Sequence, residues 1–273
     1  MLGFLSTLSA FAAALDDVKS VPHLDSAGQD GYRDFLNFDN HRAFAIAPGG
    51  AWSWKGGEAS AESASHAAIP ACQSEGGQKC FLYAVDDKVV FDPKAWSGLW
   101  GPYLNRAQAD LTHTGMNRGE LFYDLAFRNN AGKKMKLSDL RGKVVVLHFW
   151  GAWCPSCRRE MPELQQLYLA LGTAGDIQMV LLQVREDFDV SRRWVQQQNL
   201  SLPLFDSGAK GKRMDALNLS NGKTINDRDI AAVFPTTFIL DKHGVVVFSH
   251  AGTVAQWPQY LPLLRDVAAR SGK

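Results

Sequence analysis

The run Val144-Val-Val-Leu-His-Phe-Trp150 is apolar but for one histidine, and Gly151-Ala-Trp-Cys154-Pro-Ser-Cys157 follows it at once. A run of this kind reads as a strand buried on both faces, as the centre of a parallel sheet requires. Beyond Gly151 the period changes. Cys157, Met161, Leu164, Tyr168 and Leu171 recur at spacings of four and three, which is one face of a helix. Two cysteines therefore sit where a buried strand hands over to the first turn of a helix, and the fold class that follows is α/β.

That position has chemical consequences. The unpaired N–H groups and the dipole of a helix N-terminus stabilise a thiolate over a thiol. Pro155 fits the first turn, where its missing N–H has no helical partner, and Arg158 and Arg159 add positive charge nearby. A three-residue step lets the two sulfurs meet, so the pair can close into a small, reducible disulfide. The chemistry expected is thiol–disulfide exchange, with Cys154 attacking and Cys157 resolving. The alternatives are a zinc half-site or an inert disulfide. Zinc takes about four ligands, and no second Cys-x-x-Cys or His pair stands at ligand spacing, so no metal and no cofactor is assigned.

With 273 residues, 46% of them hydrophobic, the chain can bury a core and is expected to hold two domains. A formal net charge of +1 argues against nucleic acid or a membrane surface as partner. Residues 1–14 form an apolar, small-residue stretch ending in Ala12-Ala-Ala14, which reads as a signal peptide although no Lys or Arg precedes it. The alternative is an N-terminal helix packed on the body; membrane contact is expected only through this segment, if it is uncleaved. Four cysteines in two close pairs favour an oxidising compartment, periplasmic or secreted.

Residues 15–31, polar with Gly28 and Gly31, read as a linker. Residues 32–92 read as a small β-α-β-β module: a strand from Arg42 to Ala47, an Ala-rich helix from Ser60 to Cys72 weakened by Pro70, and a hairpin turned at Asp86-Asp87. Cys72 ends that helix and Cys80 opens the hairpin, which reads as a structural disulfide stapling a small α+β module. The alternative is a second redox pair relaying electrons to Cys154. Residues 93–118, with prolines and glycines among aromatic residues, read as a second linker, an interdomain connection with Trp96, Trp100 and Tyr103 as its candidate packing residues. Residues 119–271 then alternate strand and helix, with Lys210–Leu219 read as helical, and close on a hairpin turned at Asp241-Lys-His-Gly244 and a C-terminal helix.

Phe149-Trp-Gly-Ala-Trp-Cys-Pro-Ser-Cys with Arg-Arg-Glu160-Met-Pro162, followed later by Phe234-Pro235-Thr-Thr-Phe-Ile-Leu-Asp-Lys-His-Gly244, resembles the thioredoxin-like family, and within it the TlpA/ResA type of extracytoplasmic thiol–disulfide oxidoreductases. The resemblance implies a thioredoxin-like domain with a central mixed sheet flanked by helices. It implies that Pro235 is cis beside the cysteines, with the Phe234 backbone offered to an extended substrate segment and Trp153 shielding the nucleophile. Glu160, one turn after Cys157, matches the acidic residue this type places near its cysteines. It is either the acceptor of the Cys157 proton or a solvated helix glutamate. His148 stands where thioredoxin has a buried aspartate, and is either a proton shuttle or a satisfied core histidine. The function expected is reduction of disulfides in partner proteins, with an upstream thiol donor supplying electrons. The alternative is a Cu(I)-handling protein using both thiolates.

Overall fold

The computed structural model describes residues 14–76, 79–172, 175–212, 215–254 and 256–272. Residues 1–13 of the segment read as a leader therefore lie outside the described residues. The chain divides into two units, with the boundary between Asp92 and Pro93. No helix among the described residues is long and apolar enough to cross a membrane.

The first unit comprises α1 (Ser26–Leu36), β1 (Arg42–Ile46), β2 (Trp52–Gly56), α2 (Ala61–Gly76), β3 (Phe81–Val85) and β4 (Lys88–Val89). Its strands form one antiparallel sheet in the order β2-β1-β3-β4. Every residue of β1 is buried, and its alternation serves both faces. Ala43 and Ala45 share a cluster with Ala64 and Ala68 of α2, while Phe44 meets Tyr32 and Phe35 of α1 with ring centroids 4.9 and 5.7 Å away. Alanines on both sides of the α2 contact let helix and sheet lie close together.

Part of the first segment read as a linker is thus helical, and the reason is steric. The Asp25 carboxylate caps α1, accepting from the Gly28 N–H at 2.7 Å. A Cβ on Gly31 would stand 2.2 Å from the Trp52 indole, and one on Gly28 2.8 Å from it. The two glycines admit a ring against the helix backbone; they do not break the helix. Pro70 does not end α2 either, which runs on to Gly76.

The second unit begins with α3 (Pro93–Trp96) and α4 (Arg106–Leu111), then β5 (Ala126–Asn129), β6 (Lys134–Lys136), β7 (Val144–Trp150), α5 (Pro155–Leu171), β8 (Ile177–Gln183), α6 (Phe188–Gln197) and β9 (Leu204–Asp206). It ends with β10 (Ala216–Asn218), β11 (Thr224–Asn226), α7 (Asp227–Ile230), β12 (Thr236–Leu240), β13 (Val246–Ala251) and α8 (Leu261–Arg270). The main sheet has the order β13-β12-β7-β8-β9-β5-β6. Strands β7, β8 and β9 are parallel, and the strands added at either side are antiparallel. Along β7, Val144, Val146 and Trp150 join the core under α5 and α8, while Val145, Leu147 and Phe149 join the core on the opposite face.

One further expectation gains detail and another changes. The second segment read as a linker is packed within this unit: the Tyr103 hydroxyl donates to Asp266 of α8 at 2.6 Å, and the Arg118 guanidinium donates to the carbonyls of Leu99, at 3.0 Å, and Gly101. The stretch read as helical at Lys210–Leu219 instead ends in β10, which pairs with β11 as a separate hairpin. The Asp215 carboxylate accepts from the N–H groups of Lys210 and Gly211 at 2.6 and 2.7 Å, and local bonds of this kind compete with a helix.

Cys72 and Cys80 are disulfide-bonded, with Cα atoms 6.1 Å apart, and both are buried. Cys72 lies in the last part of α2, where the negative end of the dipole disfavours a thiolate. Graded treatment with dithiothreitol, followed by alkylation and mass mapping, is expected to open Cys154–Cys157 first. Loss of the Cys72–Cys80 bridge, as Cys72→Ala/Cys80→Ala, should cost the first unit about 2.5 kcal/mol in urea unfolding.

Candidate active site

Strands β7 and β8 are parallel and end at the same edge of the sheet, so the segments that follow them meet there. After β7, Gly151 and Ala152 lead to Trp153 and Cys154. Cys154 is the N-cap of α5 with extended backbone angles, and its Sγ accepts from the Cys157 N–H at 3.2 Å. Pro155 takes the first helical position. Cys154 and Cys157 are disulfide-bonded, with Cα atoms 5.3 Å apart. Cys154 keeps 3% exposure and Cys157 none, so Cys154 is the sulfur a partner can approach, by a narrow margin. The Ser156 hydroxyl lies 3.2 Å from the Cys154 Sγ and donates to the Phe234 carbonyl at 3.1 Å.

The Phe234–Pro235 peptide is cis. The carbonyls of this segment already have internal partners: Val233 accepts from the Thr236 hydroxyl at 2.6 Å and Pro235 from the Gly252 N–H at 2.8 Å, besides the bond from Ser156 to Phe234. A substrate backbone donor at Phe234 would use the second lone pair of its oxygen. Trp153 is 42% exposed and is held by its edges. Its indole N–H donates to the Val184 carbonyl at 3.0 Å, and its ring stands against Phe234 at 5.2 Å between centroids. Gly151 makes room for it, since a Cβ there would meet the indole nitrogen at 2.2 Å.

Glu160 is buried, which removes the solvated-helix alternative. Its Oε1 accepts from the Val254 N–H at 3.0 Å and from the Trp257 indole N–H, while Oε2 is buried with no protein partner. Burial pushes its pKa up to about 8, against the opposing pull of those two donors. Oε2 is therefore the atom that holds the proton at neutral pH. His148 is fully buried, on the face of β7 that turns toward Trp257, with ring centroids 6.3 Å apart. Its Nδ1 lies 2.8 Å from the Thr237 hydroxyl, and Nε2 has no protein partner. Burial lowers its pKa to about 3. The ring is held neutral by burial, and with Nε2 unpartnered it is a core histidine satisfied on one side only.

Residues 119–249 match the family model described as AhpC/TSA family. The thiol-disulfide oxidoreductase ResA of Bacillus thuringiensis is 32% identical over 133 residues, 48% of this chain and 68% of that protein. The chain belongs to the TlpA/ResA-type thioredoxin-like family. ResA of Halalkalibacterium halodurans is 28% identical over 138 residues, covering 50% of this chain and 70% of its own. A solved structure of a secreted thiol-disulfide isomerase from Corynebacterium glutamicum is 25% identical, with a TM-score of 0.41 over 54% of this chain and 85% of that one.

Several groups at this thioredoxin-like site were not singled out from the sequence. Glu186, just after β8, accepts from the Ala152 N–H and the Ser191 hydroxyl, both at 2.5 Å, and so ties the cysteine loop to the start of α6. Arg185 and Asp227 form a buried ion pair behind Trp153 and Phe234. The available signal was the run Arg185-Glu-Asp187 directly after a buried strand, at the sheet edge where the cysteines stand. No cluster of three or more His, Cys, Asp or Glu side chains among the described residues is arranged to hold a metal ion.

The raised Glu160 pKa has a thermodynamic consequence. Between the ordinary value of 4.5 and about 8, the folded chain keeps a proton on Glu160 that the unfolded chain has released. Stability therefore falls as pH rises through that window and stays lowered above it. Glu160→Gln keeps the acceptor oxygen and cannot ionise. Urea unfolding at a series of pH values is expected to show the slope flattened, with on the order of 3 kcal/mol recovered at about pH 9. Parallel wild-type and variant curves would assign the pH dependence to another group.

Proposed function

We propose that this chain reduces disulfides of partner proteins outside the cytoplasm, through the Cys154-Pro-Ser-Cys157 dithiol. The observation that carries the reading is Cys154 at the N-cap of α5, its sulfur accepting the Cys157 N–H, beside a cis proline and an exposed tryptophan. A thiolate at that position is stabilised by the helix N-terminus.

In the reduced protein the Cys154 thiolate attacks one sulfur of a partner cystine. A mixed disulfide forms, the partner S–S bond breaks, and the other partner sulfur leaves as a thiolate that takes up a proton. Cys157 then gives its proton to the ionised fraction of Glu160, one helical turn away, and attacks the Cys154 sulfur. The mixed disulfide breaks, the second partner thiolate leaves, and the Cys154–Cys157 disulfide forms. Two electrons have passed to the partner, and an upstream thiol donor returns the protein to the dithiol.

The location outside the cytoplasm is supported by the buried Cys72–Cys80 bridge, since reducing compartments keep such pairs open.

The test is a trap. Cys157→Ala removes the resolving thiol, and covalent adducts through Cys154 are expected to accumulate in cells, visible on non-reducing gels and absent from Cys154→Ala/Cys157→Ala. No adduct above the double-variant background would overturn the protein-disulfide reading and bring the Cu(I) alternative forward.

A further inference from the structure

Arg185 follows β8 at a backbone angle, φ +65°, that residues with a Cβ seldom adopt. Glycine would sit there without strain, so the arginine side chain must hold the position against the backbone. The side chain is only 5% exposed, and its Nε donates to the Asp227 Oδ2, whose side chain is 1% exposed. The Arg185 N–H also donates to the Ala209 carbonyl at 2.7 Å. Asp227 is fixed in turn: its Oδ1 accepts from the Asp215 N–H at 3.2 Å, and it opens α7 next to the β10–β11 hairpin. The ion pair thus ties the end of β8 to the β10–β11 hairpin and α7, which lead into the cis-proline segment.

The guanidinium faces two rings. Its carbon stands 4.5 Å from the Phe234 centroid and 5.7 Å from that of Trp153. Phe234 belongs to the cis-proline segment and Trp153 to the cysteine loop, and Arg185 touches both. A desolvated guanidinium over an aromatic face is attractive, and its flat fork cannot be matched by a lysine. Trp153, 42% exposed, and Val233, 52% exposed and next in the chain to Phe234, present apolar surface on the two segments that flank a cystine that is almost covered.

We infer that Arg185 is a positioning residue: locked to Asp227, its guanidinium seats the Trp153–Phe234 wall against which the polypeptide around a substrate cystine is held. This rests on the reading of the substrate as a protein disulfide. A small disulfide presents no flanking chain to the wall and depends on it little.

The variants are Arg185→Gly/Asp227→Asn, which relieves the backbone and leaves no unpaired buried charge, and Arg185→Lys, which keeps the charge and loses the flat face. Each is pre-reduced and reacted in single turnovers with insulin over a range of concentrations and with oxidised glutathione, KM and kcat being the half-saturating concentration and limiting rate of that one turnover. The exposure of Trp153 is read from acrylamide quenching, as the difference from the same protein carrying Trp153→Phe. For the double variant, KM for insulin is expected to rise about five- to tenfold, with kcat and the glutathione rate within about twofold of wild type and Trp153 more quenchable. Arg185→Lys is expected to move KM in the same direction by about two- to threefold. Unchanged insulin KM, an equal loss with both substrates, or unchanged Trp153 quenching would overturn the inference. If the double variant does not fold, Arg185→Lys decides by the same criteria. Wild-type protein that reduces glutathione disulfide but not insulin would instead sink the protein-disulfide reading, and the Trp153 quenching would still decide whether Arg185 seats the wall.

Discussion

Burial of β7 on both faces is the constraint on which the second unit depends. A strand with no exposed residue needs a layer on each side. One layer comes from α5 and α8, the other from Phe122, Leu125, Phe127 and their neighbours. Because β7 and β8 run parallel, their following segments emerge at one edge. The cysteine loop comes from one, and Arg185 and Glu186 from the other. The antiparallel β12 starts at that same edge and brings the cis-proline segment to it, so the site is a consequence of strand direction at three neighbouring strands.

Those residues place polar groups where burial is expensive. Glu160, His148 and the Arg185–Asp227 pair are all almost wholly removed from water. Burying an ionisable group without full pairing costs several kcal/mol, and the usual response is neutralisation. Glu160 and His148 respond in that way, from opposite sides of the proton balance: one keeps its proton and the other gives it up. Arg185 cannot be neutralised at any ordinary pH, and so it carries a carboxylate with it. Buried ionisable groups concentrate at functional sites, though the unit also buries Asp241, in the turn before β13.

The parts of the structure readable from the sequence are those fixed by short-range period. The strand–cysteine–helix junction, the Thr236–Leu240 and Val246–Ala251 hairpin and the C-terminal helix all follow from spacings of two or of three and four. What escaped was set by contacts distant in the chain. Gly28 and Gly31 look like breaks until Trp52 is seen lying on them. Glu160 reads equally as a proton acceptor or a solvated glutamate until Trp257, 97 residues on, is seen to donate to it. The Arg185–Asp227 pair spans 42 residues and depends on how the β10–β11 hairpin folds back. A one-dimensional pattern shows which face is apolar; it does not show which polar side chain that face will enclose.

The two disulfides show how far helix polarity alone can divide one chemistry into two roles. Each involves a helix end, and each is buried. Cys154 stands at the start of α5, where the Cys157 N–H points at its sulfur and the helix dipole favours negative charge, so breaking the bond yields an anion the fold already stabilises. Cys72 stands near the end of α2, where its sulfur lies 3.6 Å from the Ala51 carbonyl, an arrangement suited to a neutral sulfur or a thiol donor and hostile to an anion. The leaving-group pKa governs exchange rate. A bond whose rupture is assisted on one side of a helix is therefore resisted on the other, with no difference in burial needed to separate the redox-active pair from the staple.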